Sequence, residues 1–444
     1  MSWQAEYQGK CMPARDAVGS VESGMRVYIH SGCAEPETLV EALVGRAPQL
    51  RDVEIVHILT FGTAPYVAPE MAGHFRHVAF FMAANVRAAV NEGRADFVPI
   101  QLSEVEGLFA SGQMPLDVAL VQLSPPDGHG FVSLGVGVDL TMTAVRHANR
   151  VIAQVNDQMP RTHGDTFLHV RDIDAFVETS RPLCEVHGGE STAETRASAR
   201  NVAALIEDGA TLQVGIGAIP EGVLEFLHDR KDLGVHSEIV SDAIIPLMES
   251  GVINGRRKTL LPRKMVVGFL VGTRKLFQFA HDNPGFEFRA NSFVNNSQII
   301  AQNDNMVAIN SALQIDLTGQ VCADSIGTFF YSGIGGRVDF LRGASLAKGG
   351  KAILALTSTA KNGAVSRITP RLEPGAGVVT TRGLVRYVVT EFGAAYLHGL
   401  SIRQRAEALI QIAHPKFRQE LYDYCERHRW LPVKPEAAYA MAAK

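Results

Sequence analysis

The sequence predicts an α/β protein made of two similar open α/β domains with mostly parallel sheets. Three observations carry that expectation: an internal repeat, a series of short continuous apolar runs, and a length of 444 residues, more than a single hydrophobic core usually serves. Residues 17–29 read Ala-Val-Gly-Ser-Val-Glu-Ser-Gly-Met-Arg-Val-Tyr-Ile, and residues 202–214 read Val-Ala-Ala-Leu-Ile-Glu-Asp-Gly-Ala-Thr-Leu-Gln-Val. Glu22 matches Glu207, Gly24 matches Gly209, and Val27 and Ile29 match Leu212 and Val214. After a one-residue slip, Pro36-Glu37 matches Pro220-Glu221, and Leu39, Glu41 and Leu43 match Val223, Glu225 and Leu227.

Each copy reads as helix, turn glycine, short alternating strand, small-residue loop and second helix. Gly24 and Gly209 suit the left-handed geometry that closes a helix. The strand follows with period two. A proline then favours the start of the next helix. Repeated units of this kind build an open parallel sheet with helices on both faces. Buried parallel strands appear as unbroken apolar runs, and the candidates are residues 53–59, 118–123, 150–155, 265–271, 306–309 and 352–356. The polar, periodless stretch Val186-His187-Gly188-Gly189-Glu190-Ser191-Thr192 marks the break, so the expected domains are residues 1–190 and 191–444. Residues 403–429 are helical in period and are expected to cover the second sheet.

Composition excludes several classes of function. Charged residues make up 20% and the net charge is −4, which gives no reason to expect a nucleic-acid partner. The first residues lack the basic and apolar regions of a secretory signal. No apolar run is long enough to span a membrane as a helix. The cysteines Cys11, Cys33, Cys184, Cys322 and Cys425 are odd in number and scattered. They suit a reducing cytoplasm and argue against disulfides or zinc. With no H-E-x-x-H among the histidines, no metal site is expected.

Three glycine-rich segments of the second half could carry chemistry. Gly215-Ile216-Gly217-Ala218-Ile219-Pro220 follows a strand and opens a helix, where backbone N–H groups favour anions. Pro220 stands where a dinucleotide-binding G-x-G-x-x-G would have its third glycine, which weakens a nicotinamide reading. An unliganded turn fits this segment equally well. Ser332-Gly333-Ile334-Gly335-Gly336-Arg337 allows close backbone approach, and its amides could serve as oxyanion donors. Ser358-Thr359-Ala360-Lys361-Asn362-Gly363 places a lysine that could meet a phosphate, although a solvated lysine is the commoner outcome.

Glu238, in Gly-Val-His-Ser-Glu-Ile-Val-Ser-Asp (residues 234–242), lies among apolar strand residues. A glutamate there is costly to bury unless it is paired or functional. By itself this leaves an edge strand or a structural ion pair open. Other schemes find less support. The nearest approach to G-x-S-x-G is Gly343-Ala344-Ser345-Leu346-Ala347, without the last glycine. There is no Walker A pattern.

Taken in order, the motifs resemble the acetyl-CoA hydrolase/transferase family of class I CoA-transferases, with the strongest likeness to its 4-hydroxybutyrate branch. The segments concerned are Ser124-Pro125-Pro126-Asp127 with Gly130-Phe131, Gln154-Val155-Asn156-Asp157-Gln158, Gly164-Asp165-Thr166-Phe167, the Gly215 loop, His236-Ser237-Glu238, residues 332–340, Val388-Val389-Thr390-Glu391-Phe392-Gly393 and Ile412-Ala413-His414-Pro415. The resemblance runs from about residue 3 to residue 430. It implies two similar open α/β domains with the active site between them, and Glu238 as catalytic nucleophile. It further implies contacts to coenzyme A from Gly215, Ile216, Gly217, Ala218, Ile219, Leu313, Gly336 and Ala360, with Gly335 and Lys361 in oxyanion or secondary roles.

The implied chemistry is ping-pong transfer of CoA between a short-chain acyl-CoA, such as 4-hydroxybutyryl- or butyryl-CoA, and a carboxylate such as acetate. CoA is then a substrate, and no permanently bound cofactor is expected. The expected enzyme is cytoplasmic and forms a homo-oligomer, a dimer on family likeness, with no nucleic-acid or membrane partner. The loop His30-Ser31-Gly32-Cys33-Ala34-Glu35-Pro36, together with Thr60-Phe61-Gly62, is expected to face the acyl group. Its small residues depart from the 4-hydroxybutyrate pattern. An acyl-CoA hydrolase using the same glutamate is the main alternative. A nicotinamide oxidoreductase and a non-catalytic CoA sensor are further ones.

Overall fold

The structure is a computed structural model that describes residues 2–189, 191–215 and 217–430. The chain forms two compact units, and both are discontinuous. The first comprises residues 1–187, 238–242 and 264–295, and the second comprises 188–237, 243–263 and 296–444. A single cut after residue 190 treats each half as one stretch, whereas compaction returns two later segments to the first unit.

In the first unit a seven-stranded, wholly parallel sheet is centred on Arg26–Ile29, which lies between Val53–His57 and Leu116–Leu123. Phe75–Ala79 and Ala95–Phe97 extend it on one side, and Ala148–Asn156 and Ala175–Thr179 on the other. One face is packed by the helix Glu37–Val44, through Leu39, Val40 and Leu43, against Val27, Ile29, Val53, Ile55, Val118 and Leu120. Burial of each such side chain stabilises by roughly 1.5–3 kcal/mol. The same unit holds the parallel pair Met265–Leu270 and Phe286–Phe288.

In the second unit Thr211–Val214 pairs in parallel with the first residues of Gly234–Val240 and with Met306–Ser311. Lys351–Ala355 and Tyr387–Thr390 follow in parallel, and Gly393–Tyr396 closes the edge antiparallel. In each half of the repeat the first strand is thus flanked by the second and the fifth strands of that half.

The turn glycines confirm the equivalence. Gly24 has φ 80° and Gly209 φ 78°. The Gly24 N–H donates to Arg51 O (3.0 Å) and the Gly209 N–H to Lys231 O (2.8 Å). Each glycine therefore ties the start of its copy to the loop that follows the copy's helix.

All six apolar runs form strands, at Val53–His57, Leu116–Leu123, Ala148–Asn156, Met265–Leu270, Met306–Ser311 and Lys351–Ala355. The expected C-terminal helix is two helices, Ile402–Gln411 and Pro415–Arg427. Proline lacks the N–H that would continue the first helix, so Pro415 opens the second, with His414 as its cap. No helix among the described residues is long and apolar enough to cross a membrane.

Candidate active site

Glu238 stands near the carboxyl end of the strand Gly234–Val240, half-buried, and belongs to the first unit. Asn295 donates from Nδ2 to Glu238 Oε2 at 2.9 Å. Asn295 is fully buried and forms the C-cap of the short helix Asn291–Val294. A neutral amide there holds and orients the carboxylate.

The backbone around Glu238 is tightly fitted. A Cβ on Gly268 would lie 2.9 Å from Glu238 O and 3.0 Å from Asn291 Oδ1, so glycine is required. The Val138 N–H donates to Gly268 O (3.0 Å) and the Asn291 N–H to Asp139 O (3.1 Å). Asp139 is buried, and burial raises its carboxyl to about 6. Its Oδ1 accepts from Thr141 N (3.0 Å) and Thr141 Oγ1 (2.9 Å). Glu106, on the helix Leu102–Ala110, accepts from Ser292 N (2.6 Å) and Ser292 Oγ (3.0 Å), and from the Thr143 hydroxyl.

The loop expected at the acyl group is also in this unit. Gly32 bridges to Thr60 and would meet the Phe269 ring at 3.6 Å if it carried a Cβ. His30 is buried, and burial lowers it to about 4. Its Nε2 donates to Gly137 O (2.7 Å) and its Nδ1 accepts from Gln122 N (3.2 Å), which describes a neutral ring. The Gly62 N–H donates to Glu35 Oε2 (3.0 Å), and burial pushes the Glu35 carboxyl up to about 7. A Cβ on Gly62 would meet that oxygen at 2.6 Å.

In the second unit Gly215, Leu313 and Ala360, expected at CoA, come after the parallel strands Thr211–Val214, Met306–Ser311 and Lys351–Ala355. Gly215 follows Thr211–Val214, and its N–H donates to Ile309 O (3.2 Å). Gly217, at φ 119°, caps the helix Ala218–Leu224, which contains Ala218 and Ile219. Ile216 lies outside the described residues. Leu313 follows Met306–Ser311, and its N–H donates to Cys322 O (3.0 Å). Gly335, at φ 61°, and Gly336 lead into the helix Arg337–Leu346. Arg337 Nε anchors that helix to Ser311 O (3.0 Å). Ala360 ends a short strand after Lys351–Ala355, and Lys361 begins the hairpin turn with φ 50°. Ligands of open α/β sheets bind at such carboxyl ends. Asn310 Nδ2 donates to Gln213 Oε1 (2.9 Å) and joins two of these strands.

Several of the family motifs prove to be scaffold. Asp127 accepts from His129 N (2.8 Å), Phe131 N (3.0 Å) and Arg161 Nη1 (2.7 Å), and is held down to about 2. Gln154 and Asn156 both donate to Gln122 Oε1 at 2.8 Å. A Cβ on Gly164 would lie 2.2 Å from Phe288 O. Sequence reading passed over Asn295, Glu106 and Asp139. The available signal was the asparagine-rich run 291–296 after an apolar strand. Among the described residues no cluster of three His, Cys, Asp or Glu side chains is placed to hold a metal ion.

Residues 1–185 match the acetyl-CoA hydrolase/transferase N-terminal domain, and residues 272–425 match the C-terminal domain. A 4-hydroxybutyrate coenzyme A transferase of Clostridium kluyveri is 51% identical over 95% of this chain and 98% of its own. A succinyl-CoA:acetate/propanoyl-CoA:succinate CoA transferase of Fasciola hepatica is 47% identical over 91% of this chain and 85% of its own. Among solved structures, RipA of Yersinia pestis superposes with a TM-score of 0.93 at 36% identity, covering 97% of this chain and all of that one. A 4-hydroxybutyrate CoA-transferase of Porphyromonas gingivalis gives a TM-score of 0.83 at 38% identity, covering 96% of this chain and 100% of its own. With both domain models matched in order and relatives aligned along nearly its whole length, the chain belongs to the acetyl-CoA hydrolase/transferase family.

Proposed function

We propose that this enzyme is a CoA-transferase that moves CoA from a short-chain acyl-CoA to a small carboxylate, with Glu238 as the nucleophile. The observation that carries the reading is a half-buried carboxylate at a strand end with one oxygen engaged by the neutral Asn295 amide. Glu238 attacks the thioester carbonyl, the carbon–sulfur bond breaks, and CoA leaves as thiolate from a mixed anhydride. The thiolate then attacks the glutamyl carbonyl. The anhydride carbon–oxygen bond breaks, releasing the first acid and leaving a glutamyl-CoA thioester. A second carboxylate reverses both steps and departs as the new acyl-CoA. Thioester energy is conserved throughout, so no nucleotide is consumed.

The CoA-binding assignments are Gly215, Ile216, Gly217, Ala218, Ile219, Leu313, Gly336 and Ala360, with Gly335 supplying an oxyanion amide and Lys361 reaching a phosphate. The positions of Gly215, Leu313 and Ala360 after parallel strands support this. The acyl group lies against residues 30–36 and 60–62, and 4-hydroxybutyryl- and butyryl-CoA are the preferred donors, with acetate as acceptor. CoA is a substrate and no cofactor is held permanently. The enzyme acts in the cytoplasm as a homodimer.

Incubation with acyl-CoA and no acceptor, followed by mass analysis, should show a CoA-dependent modification on the peptide containing Glu238. Glu238→Ala should lose the modification and at least about 10⁴-fold in kcat, the scale of removing a covalent nucleophile. Retained turnover in that variant would place the nucleophile elsewhere. Free thiol released as fast without acceptor as with it would make the enzyme a hydrolase.

A further inference from the structure

We infer that Glu106 is a positioning residue for transfer, acting on Glu238 through the short helix Asn291–Val294 and Asn295. The inference rests on Glu238 being the nucleophile. The geometry is a continuous chain of contacts within the first unit. Glu106 is 6% exposed. One carboxylate oxygen accepts from the Ser292 N–H at 2.6 Å, and the other from Ser292 Oγ at 3.0 Å and from the Thr143 hydroxyl. Ser292 opens the first turn of the helix, where backbone N–H groups have no partner inside the helix. The neighbouring Asn291 N–H is taken by Asp139 O at 3.1 Å. At the other end the Asn295 N–H closes the helix onto Asn291 O at 2.8 Å, and the Asn295 amide reaches Glu238.

A helix of four residues has too few internal hydrogen bonds to hold its own orientation. Its direction is therefore set by what grips its first turn. Glu106 offers a charged acceptor to two donors of one residue, and charge-assisted bonds are the stronger kind. Asp139 supplies only a backbone carbonyl. A tilt of the helix would move the Asn295 amide away from Glu238 Oε2, and displacements of about 1 Å near a reacting group can cost about 100-fold in rate.

The test uses the full-length enzyme and four variants: Glu106→Ala, Glu106→Gln, Asn295→Ala and the Glu106→Ala/Asn295→Ala double. Each is assayed for kcat, for the acyl-CoA KM, and for the single-turnover rate of CoA attachment to the Glu238 peptide. Glu106→Ala should lower kcat and the attachment rate roughly 10- to 100-fold with little change in KM. Glu106→Gln keeps an oxygen for the Ser292 N–H and should recover most of the loss. In the Asn295→Ala background, Glu106→Ala should add almost nothing, since coupled residues are not additive. Should Glu106→Ala not fold, Ser292→Ala takes its place in the same cycle. Losses that multiply in the double variant, or an unchanged attachment rate in Glu106→Ala, overturn the inference alone. Absence of any modification at Glu238 in the wild type overturns the nucleophile assignment, and this inference with it.

Discussion

Glu35 shows how far burial alone alters a side chain. Its carboxyl is raised to about 7 from 4.5 because water is excluded around it, and the Gly62 amide only partly offsets that. The folded chain therefore binds a proton between pH 4.5 and 7 that the unfolded chain has released. By linkage, this contribution favours folding below pH 4.5 and is lost as pH rises to 7. With Glu35 ionised at pH 8, the fold is roughly 3 kcal/mol less stable on this account than below pH 4.5. Glu35→Gln should then be the more stable protein at pH 8, with the difference shrinking steadily towards pH 5 in chemical-denaturation midpoints. A variant no more stable at pH 8 than the wild type would contradict the account. At this scale Glu238 was legible because a carboxylate among apolar strand residues stands out. Asn295 was not, since the asparagine-rich run 291–296 does not single out one amide and its partner is 57 positions away.

At the scale of elements, the repeat was the most legible feature. It rests on a turn whose backbone only glycine adopts without strain. Gly24→Ala should cost about 1–2 kcal/mol, the usual penalty for left-handed backbone in other residues. No atom lies within 4 Å of a Cβ there, whereas at Gly209 one would meet the Arg257 guanidinium at 2.5 Å. Gly209→Ala should therefore be the costlier change, because Arg257 must also swing off Asp208 O. Thermal melts of the two variants side by side check the order, and equal losses would contradict it. The strands that escaped notice have physical reasons for doing so. Phe75–Ala79 contains the exposed Arg76 and the buried but polar His77, so it forms no unbroken apolar run. Gly393–Tyr396 lies at a sheet edge and is rich in small residues. The split at Pro415 was visible in the residues, but helical periodicity on both sides concealed it.

For the whole molecule, two related halves could be read from sequence, but the routing of the chain could not. Residues 264–295 return to the first unit after the second has begun. Nothing in local pattern announces such a return, because the strand Met265–Leu270 looks like any other buried strand. The return is structurally demanding. The Val138 N–H donates to Gly268 O (3.0 Å) and Leu270 N–H to Val136 O (2.8 Å), and Phe269, Phe286 and Phe288 are fully buried. A fragment of residues 1–190 would lose these partners and leave backbone groups unpaired at a former core. Expressed alone, it should show broad, non-cooperative unfolding and expose apolar surface to a hydrophobic dye. A sharp two-state transition in that fragment would show that it does not need the later segment.

The matched turns at Gly24 and Gly209 bear on how such a chain arises and how it can be rebuilt. Each carries nearly the same dihedral and binds the carbonyl at the same point of its own half. They are spare parts for one another. Residues 22–25 and 207–210 could be exchanged in a chimaera, with only the wall formed by Arg257 to accommodate. The two halves have diverged in chemistry while retaining a common joint, and that joint is where an engineer could graft one half's loops onto the other.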